Sequence, residues 1–254
     1  MPLWFAEMGS ASFVPRASIL LVALVPLLLG GCSIFKELEQ KRVAREEALQ
    51  VQALRAAAKA DHDAFRAGKN WRSKTYRNAT FMALATPATT RIHIAIKEQR
   101  GYLIVSEAIA MDFPVATGKS SHPTPTGDFT ILGKTKDYHS NLYGKIVDPT
   151  GAVIVSDADT RRDAVPEGGR FQGAPMLYWM RLTNTGVGLH VGYVPGRPAS
   201  HGCIRLPAKV APVIFGKVKV GTPVVVSQVA PTLPAGTVAP QPRPRTAVRK
   251  VPGT

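Results

Sequence analysis

From Arg91 to Ser227 the chain is cut into short apolar runs by glycine, proline, aspartate and asparagine: RIHIAI, GYLIV, EAIAMDFPVAT, GDFTIL, AVIVSD, MLYWMRL, VGLHVGY and TPVVVS. Runs of this length, rich in β-branched and aromatic residues and bounded by turn formers, read as strands. No long helical stretch lies between them to carry a series of parallel crossovers, so the expected class is mainly β, a sandwich or a barrel. One short helix is expected from Pro207 (PAKVAPVIFGK), because proline suits the first turn of a helix.

Upstream, residues 36–69 (KELEQKRVAREEALQVQALRAAAKADHDAFRAGK) contain no proline and a single glycine, Gly68. Alanine and straight-chain side chains lose little freedom in a helix, so a helix is expected here. Its apolar positions Leu38, Val43, Leu49, Leu54 and Phe65 form no clean stripe. That suits a solvated spacer or weak coiled coil, and equally a helix laid on the domain. As a spacer it reaches ~50 Å at ~1.5 Å per residue. Beyond Val229 the chain is rich in proline and basic residues and poor in large apolar ones, the composition of a disordered tail.

The segment Ala17 to Leu29 (ASILLVALVPLLL) is apolar except for Ser18 and follows Arg16. It is too short to span a bilayer comfortably and has the make-up of a secretory h-region. It closes on Leu29-Gly30-Gly31-Cys32, which resembles the lipobox of bacterial lipoproteins. On that reading Cys32 is the first mature residue and carries a lipid that ties the chain to a membrane. An ordinary signal peptide with an incidental cysteine, or an uncleaved anchor, competes with it, and Met8 is an alternative start. Ser33, where inner-membrane lipoproteins carry aspartate, points to a periplasmic site on the outer membrane. The expected organisation is a leader over 1–31, an anchor and helical spacer over 32–88, one folded domain over 89–228 and a tail over 229–254.

Formal charge is +15, and 45 % of residues are apolar, enough for a real core. A basic balance usually suggests nucleic acid, but export removes that partner. Anionic envelope surfaces or an acidic substrate remain, as does a basic surface that merely aids solubility.

Export also makes the two cysteines informative, because an oxidising compartment favours pairing them. If Cys32 is lipidated, Cys203 has no partner. Cys203 stands in ASHGCIRLP, with His201 two residues before it and Arg205 two residues after. A thiol attacks as thiolate, so a catalytic cysteine needs a base in reach and donors for the oxyanion it creates. His190, inside GVGLHVGYV, is a candidate base at a strand end. Gly202 permits a tight turn that exposes the sulfur, and the positive end of a helix starting at Pro207 favours thiolate. Arg205 suits a two-pronged grip on a carboxylate. Two other readings fit the same residues. His190, His201, Cys203 and His139 are legitimate zinc ligands, although no C-x-x-C or H-x-x-x-H spacing is present. A buried, inert cysteine among core histidines is the other.

Ser200-His201-Gly202-Cys203-Ile204-Arg205-Leu206, with His190 upstream, resembles the signature of L,D-transpeptidases with a YkuD-type catalytic domain. Thr124-Pro125-Thr126-Gly127 before the strand DFTI is similar to that family's T-P-T-G-x-F segment, and PVATGK to its lead-in. The resemblance covers roughly residues 89–228 and implies a β-sandwich with a short helix after the cysteine. It implies Cys203 as nucleophile, His190 as its base and His201 as a second histidine near the sulfur. Backbone amides around Gly202 and Cys203 would form the oxyanion hole, and Arg205 and Ser200 would meet substrate. Where relatives place Ser or Gly after the upstream histidine, this chain has Val191, whose carbonyl can still orient the ring. The loop to Cys203 is also shorter than in many members.

The implied chemistry is acyl transfer on a peptidoglycan stem tetrapeptide, through a thioester and with release of D-alanine. The acceptor is the amine of another stem or of a lipoprotein lysine, in wall cross-linking or protein tethering. The family also implies acylation by carbapenems and no metal or organic cofactor. A carboxypeptidase or amidase on the same scaffold, and a non-catalytic peptidoglycan-binding lipoprotein, are the alternatives. A pure binder has no need of two histidines and a cysteine together. The polar run from Asp157 to Arg170 reads as a solvated loop or as a lid bringing Arg161 or Arg162 to substrate carboxylates. Tyr178 and Trp179 are candidates for the donor cleft, with core packing as the alternative.

Overall fold

The computed structural model of the chain describes residues 32–234. The leader, and the tail from residue 235 on, lie outside the described residues. Two compact units divide at Glu47. The described part of the first is exposed helix, carrying the surface pairs Lys41–Glu37 and Arg42–Glu39. Among the described residues no helix is long and apolar enough to cross a membrane.

The expected helix exists as α1 (Cys32–Ala67) and stops at Gly68. From Ala48 on it belongs to the second unit. There its last turns pack: Ala58 and His62 are buried, and Arg55 donates to the carbonyl of Ser106. Of the two readings open from sequence, the packed one describes this half of the helix.

The second unit is built on three sheets. The largest runs β1 (Tyr76–Arg77), β4 (Ala108–Pro114), β3 (Arg100–Val105), β2 (Thr90–Ala95), β13 (Pro223–Ser227), β5 (Gly127–Thr130). It is antiparallel except where β13 lies parallel to β2. The second has the order β12 (Ile204–Leu206), β11 (Gly188–Val191), β10 (Trp179–Arg181), β6 (Gly133–Thr135), with β11 and β12 parallel. A core of Ile92, Ile94, Leu103, Met111, Phe113, Val224 and Val226 from the first sheet meets Met180, Leu189, Ile204 and Leu206 from the second. The short helix α3 (Ala211–Lys217) adds Ala211 and Ile214 to it. The third sheet, β8 (Val153–Asp159), β7 (His139–Val147), β9 (Arg170–Pro175), contributes nothing to that cluster.

Besides α1 and a single 3-10 turn at Trp71–Ser73, a strand and a helix precede the expected boundary at residue 89. β1 pairs with β4, and α2 (Ala79–Leu84) buries Phe81 and is capped by Asn78, whose Oδ1 accepts from the Phe81 amide at 3.1 Å. A two-residue strand and a six-residue helix are too short to leave a periodic signal, so sequence grouped them with the spacer. At the other end Ala230 and Leu233 pack against Tyr102 and Ile104, so tail character does not begin at residue 229.

Beneath α1 lies a buried ionic network. Arg100 and Asp112, both with side chains inaccessible to solvent, pair at 2.6 Å. His62 Nε2 lies 2.8 Å from the other oxygen of Asp112, and Arg100 also donates to the carbonyls of Arg72 and Lys74. Such a network holds helix to sheet because each buried charge is met by several partners.

Three expected elements need correction. Of MLYWMRL only Trp179–Arg181 is strand, because the chain turns through Tyr178 at φ 55°. The helix expected from Pro207 starts at Ala211; Pro207 opens the preceding turn, its carbonyl accepting from the amides of Val210 and Ala211. The polar run from Asp157 is strand to Asp159 and again from Arg170, leaving only 160–169 as a loop.

Candidate active site

The parallel pairing of β11 with β12 sets His190 opposite Arg205. Side chains two apart on a strand share a face, so Cys203, just before β12, falls on the face of Arg205 and His190. All three line one cavity of about 300 Å³, together with Ser200, His201, Tyr193 and, from the third sheet, Ser140, Tyr143, Ala174 and Pro175. The third sheet therefore supplies part of the cleft's lining.

His190 is buried, and its Nδ1 lies 2.7 Å from the carbonyl oxygen of Val191. A carbonyl only accepts, so Nδ1 carries the proton and Nε2 keeps a free lone pair. Burial, seconded by the charge of Arg205, takes the ring's pKa down to about 4, against the pull of the Val191 contact. At neutral pH it is an uncharged base.

Cys203 is half-buried and unpaired. Its Sγ lies 3.6 Å from the carbonyl of Gly186. Burial pushes the thiol's pKa up, against the Gly188 amide and Arg205, which pull it down. The resting pair is thus neutral thiol and neutral imidazole. No helix end assists ionisation, since α3 begins at Ala211.

The turn that presents the sulfur is held from both sides. Ser200 Oγ accepts from the Gly202 amide and donates to the Cys203 carbonyl. Ser200 is 2 % exposed, so its hydroxyl belongs to the turn and not to substrate binding. The Gly202 amide is likewise committed to Ser200, which removes it from the expected oxyanion donors. Gly202 itself has φ 108°, a conformation side-chain-bearing residues rarely adopt. From the other side Thr124 Oγ1 donates to the Gly202 carbonyl and accepts from the Gly118 amide, both at 2.8 Å. A Cβ on Gly118 would lie 2.0 Å from the His122 carbonyl oxygen, so only glycine fits there. The two motifs singled out in sequence, around Gly118 and around Thr124, thus form a clamp on the nucleophile turn.

His201 stands at the cavity edge. The Tyr143 ring stacks on it at 4.7 Å, His122 meets it edge-on at 4.9 Å, and Lys119 Nζ lies 3.1 Å from its Nε2. Burial and then Lys119 lower its pKa. The Arg205 side chain makes no hydrogen bond or ion pair among the described residues, while its backbone amide and carbonyl pair with Ala116. It borders this cavity and a second one, of about 420 Å³, that also holds Lys145 and Asp157.

Tyr178 is not in the cleft. Its ring packs edge-on against Phe215, while Trp179 is buried and stacks on Tyr138. The cleft tyrosines are Tyr143 and Tyr193, which sequence did not single out. Arg161 is held by Asp159 and Tyr143, and Arg162 by Asp163. Of the zinc-ligand alternative, His139 is exposed on β7 and does not line the cavity. No group of three His, Cys, Asp or Glu gathers as a metal set among the described residues.

The profile described as "YkuD: L,D-transpeptidase catalytic domain" matches residues 89–226, more than half of the chain. Solved structures give a weaker likeness. An L,D-transpeptidase from Mycobacterium smegmatis is 23 % identical, with TM-score 0.42 over 55 % of this chain and 58 % of that one. The C442S mutant of an Enterococcus faecium L,D-transpeptidase is 27 % identical, with TM-score 0.39 over 55 % and 50 %. L,D-transpeptidase 1 of Mycobacterium tuberculosis is 24 % identical, with TM-score 0.39 over 54 % and 61 %. The chain therefore spans between half and about three-fifths of these relatives. No curated protein matches it.

Proposed function

Because the chain belongs to the YkuD family of L,D-transpeptidase catalytic domains, we propose that it is a peptidoglycan L,D-transpeptidase working through a thioester on Cys203. The observation that carries this reading is the placement of Cys203 and His190 on one face of a parallel strand pair, with Nδ1 of His190 tied to the Val191 carbonyl so that Nε2 is the basic atom.

A stem tetrapeptide lies in the cleft with the carbonyl of its third residue at the sulfur. His190 Nε2 takes the thiol proton as sulfur attacks, because neither group is ionised at rest and a free thiolate would be costly in this buried place. The oxyanion is met by the Cys203 amide, the donor left once the Gly202 amide is committed to Ser200. Collapse breaks the peptide bond, the imidazolium returns its proton to the leaving amine, and D-alanine departs. An amine then attacks the thioester, His190 takes its proton, and the sulfur leaves as thiol. Arg205, its guanidinium unpaired between two cavities, receives a carboxylate of one of the stems. Carbapenems, strained acyl donors, acylate the same sulfur.

Lipidation of Cys32 and an outer-membrane address are part of the proposal. Labelled fatty acid incorporated by the chain and lost in Cys32→Ser tests the anchor. The activity is tested by mass spectrometry of tetrapeptide muropeptides incubated with the full chain and with Cys203→Ala. A stem dimer formed only by the former is expected; tripeptide alone would assign hydrolysis instead, and no turnover would leave a binding protein.

A further inference from the structure

Lys119 follows Gly118 in the clamp, and its backbone is fixed beside the nucleophile turn. Its amide donates to the Ser200 carbonyl at 3.0 Å, and its carbonyl accepts from the His122 amide at 2.8 Å. The side chain then delivers Nζ to 3.1 Å from His201 Nε2. An ammonium has donors and no acceptor, so in this contact Nε2 must accept and the ring's single proton resides on Nδ1. A second group competes for the same nitrogen. Asp157 on β8 places Oδ2 3.9 Å from Nε2, and a carboxylate there demands the opposite tautomer, with the proton on Nε2. The nearer partner is Lys119.

The ring has little freedom to escape this choice, because Tyr143 covers one face and the edge of His122 meets it as well. The groups facing His201 are Lys119 and His122 from the clamp loop, Asp157 and Tyr143 from the third sheet, and Arg205 from β12. Burial and Lys119 together keep the ring uncharged, in line with its lowered pKa. Among the described residues Nδ1 has no hydrogen-bond partner, so it is the polar atom His201 can offer to a molecule in the cavity it lines with Cys203.

We infer that Lys119 is a positioning residue for the acyl transfer: it holds His201 in the neutral Nδ1–H form, so that the ring presents substrate oxygens with a hydrogen-bond donor and not a lone pair. The inference rests on the acyl-transfer reading above. Carbonyl and carboxylate oxygens of a stem peptide are acceptors only, and a lone pair at Nδ1 would repel them. Lys119 touches no substrate; its effect passes through the ring.

The test uses the full chain labelled with ¹⁵N-histidine, with the His201 signals assigned by their loss in His201→Gln. Long-range ¹H–¹⁵N spectra report which ring nitrogen is protonated, and the mass of the Cys203 adduct, followed over time with a carbapenem, reports acylation. The expected result is a bare Nε2 in the wild type, a proton moved to Nε2 in Lys119→Met, and acylation about tenfold slower in that variant. Lys119→Arg should restore both readouts, and adding Asp157→Asn to Lys119→Met should recover part of the rate by removing the competing acceptor. A wild type with its proton on Nε2 overturns the inference without recourse to any variant. So does a Lys119→Met chain that switches tautomer yet acylates at the wild-type rate. Absence of a Cys203 adduct in a wild type with the expected tautomer would overturn the acyl-transfer reading, and the catalytic use of the ring with it.

Discussion

The Nδ1 of His190 is bonded at 2.7 Å to the carbonyl of Val191, its own neighbour along β11. The base is thus oriented by backbone alone, and a change of side chain at Val191 leaves its tautomer untouched. What burial does to the ring has a measurable sign. The folded pKa is about 4, below the ordinary 6.5, so the base is present above pH 4 and lost as pH falls through it. Acylation by a carbapenem is expected to hold from neutral pH down to about 5 and to fall below that, a limb well under that of a free imidazole. The unfolded chain binds a proton at this site from about pH 6.5 downward and the folded chain does not. Stability should therefore decline by up to about 3 kcal/mol between pH 6.5 and 4, with the decline absent in His190→Gln. Urea melts across that range check it.

Thr124→Val tests the clamp. The substitution keeps the shape but removes the oxygen shared by the Gly202 carbonyl and the Gly118 amide. Each buried group left unmet costs about 1–3 kcal/mol, so a loss of roughly 2 kcal/mol or more in denaturant unfolding is expected. Acylation of Cys203 should slow as well, since the turn carrying the sulfur loses one of its two supports.

Asp112→Ala separates scaffold from site. It leaves Arg100 buried without its carboxylate and releases His62, a change expected to cost about 3–5 kcal/mol. The fraction that remains folded should acylate at the wild-type rate, because none of these residues lines the cleft. Titrating active sites before timing the reaction distinguishes the two effects.

Arg205→Lys keeps the charge and loses the planar fork. If the guanidinium takes a stem carboxylate, KM for muropeptides should rise, and Arg205→Ala should lower kcat/KM by about 10- to 100-fold, as expected for a lost charged hydrogen bond. An unchanged KM in both variants would leave Arg205 with only its electrostatic influence on Cys203 and His190.

How much of this was legible beforehand depended on burial. Strands β2, β3, β4 and β13 put side chains into the core, and their apolar runs announced them. β7 and β9, HSNLYGKIV and RFQGAP, bury little and carry no alternating signal, so two of the three strands of the sheet that walls the cleft stayed invisible, and only β8 was announced, by the run AVIVSD. Cys203, His190, His201 and Arg205 were found because their residue types are rare and chemical, and all four line the cavity. Tyr178 was misplaced because an aromatic in an apolar run does not reveal which way the chain turns, and its left-handed backbone sends the ring to Phe215. Lys119 and Thr124 lay in or beside recognised motifs, but their contacts are with residues some 80 positions away, a proximity that only the closed fold creates.

The sheet formed by residues 139–175 takes no part in the main hydrophobic cluster, yet it supplies one wall of the cleft. Folding and cleft shape are therefore written in different parts of the chain. Substitutions, insertions or a wholesale transplant of this wall can alter the shape of the cleft while Cys203 and His190 stay on their own foundation. A lineage, or an engineer, can change the lock without rebuilding the door.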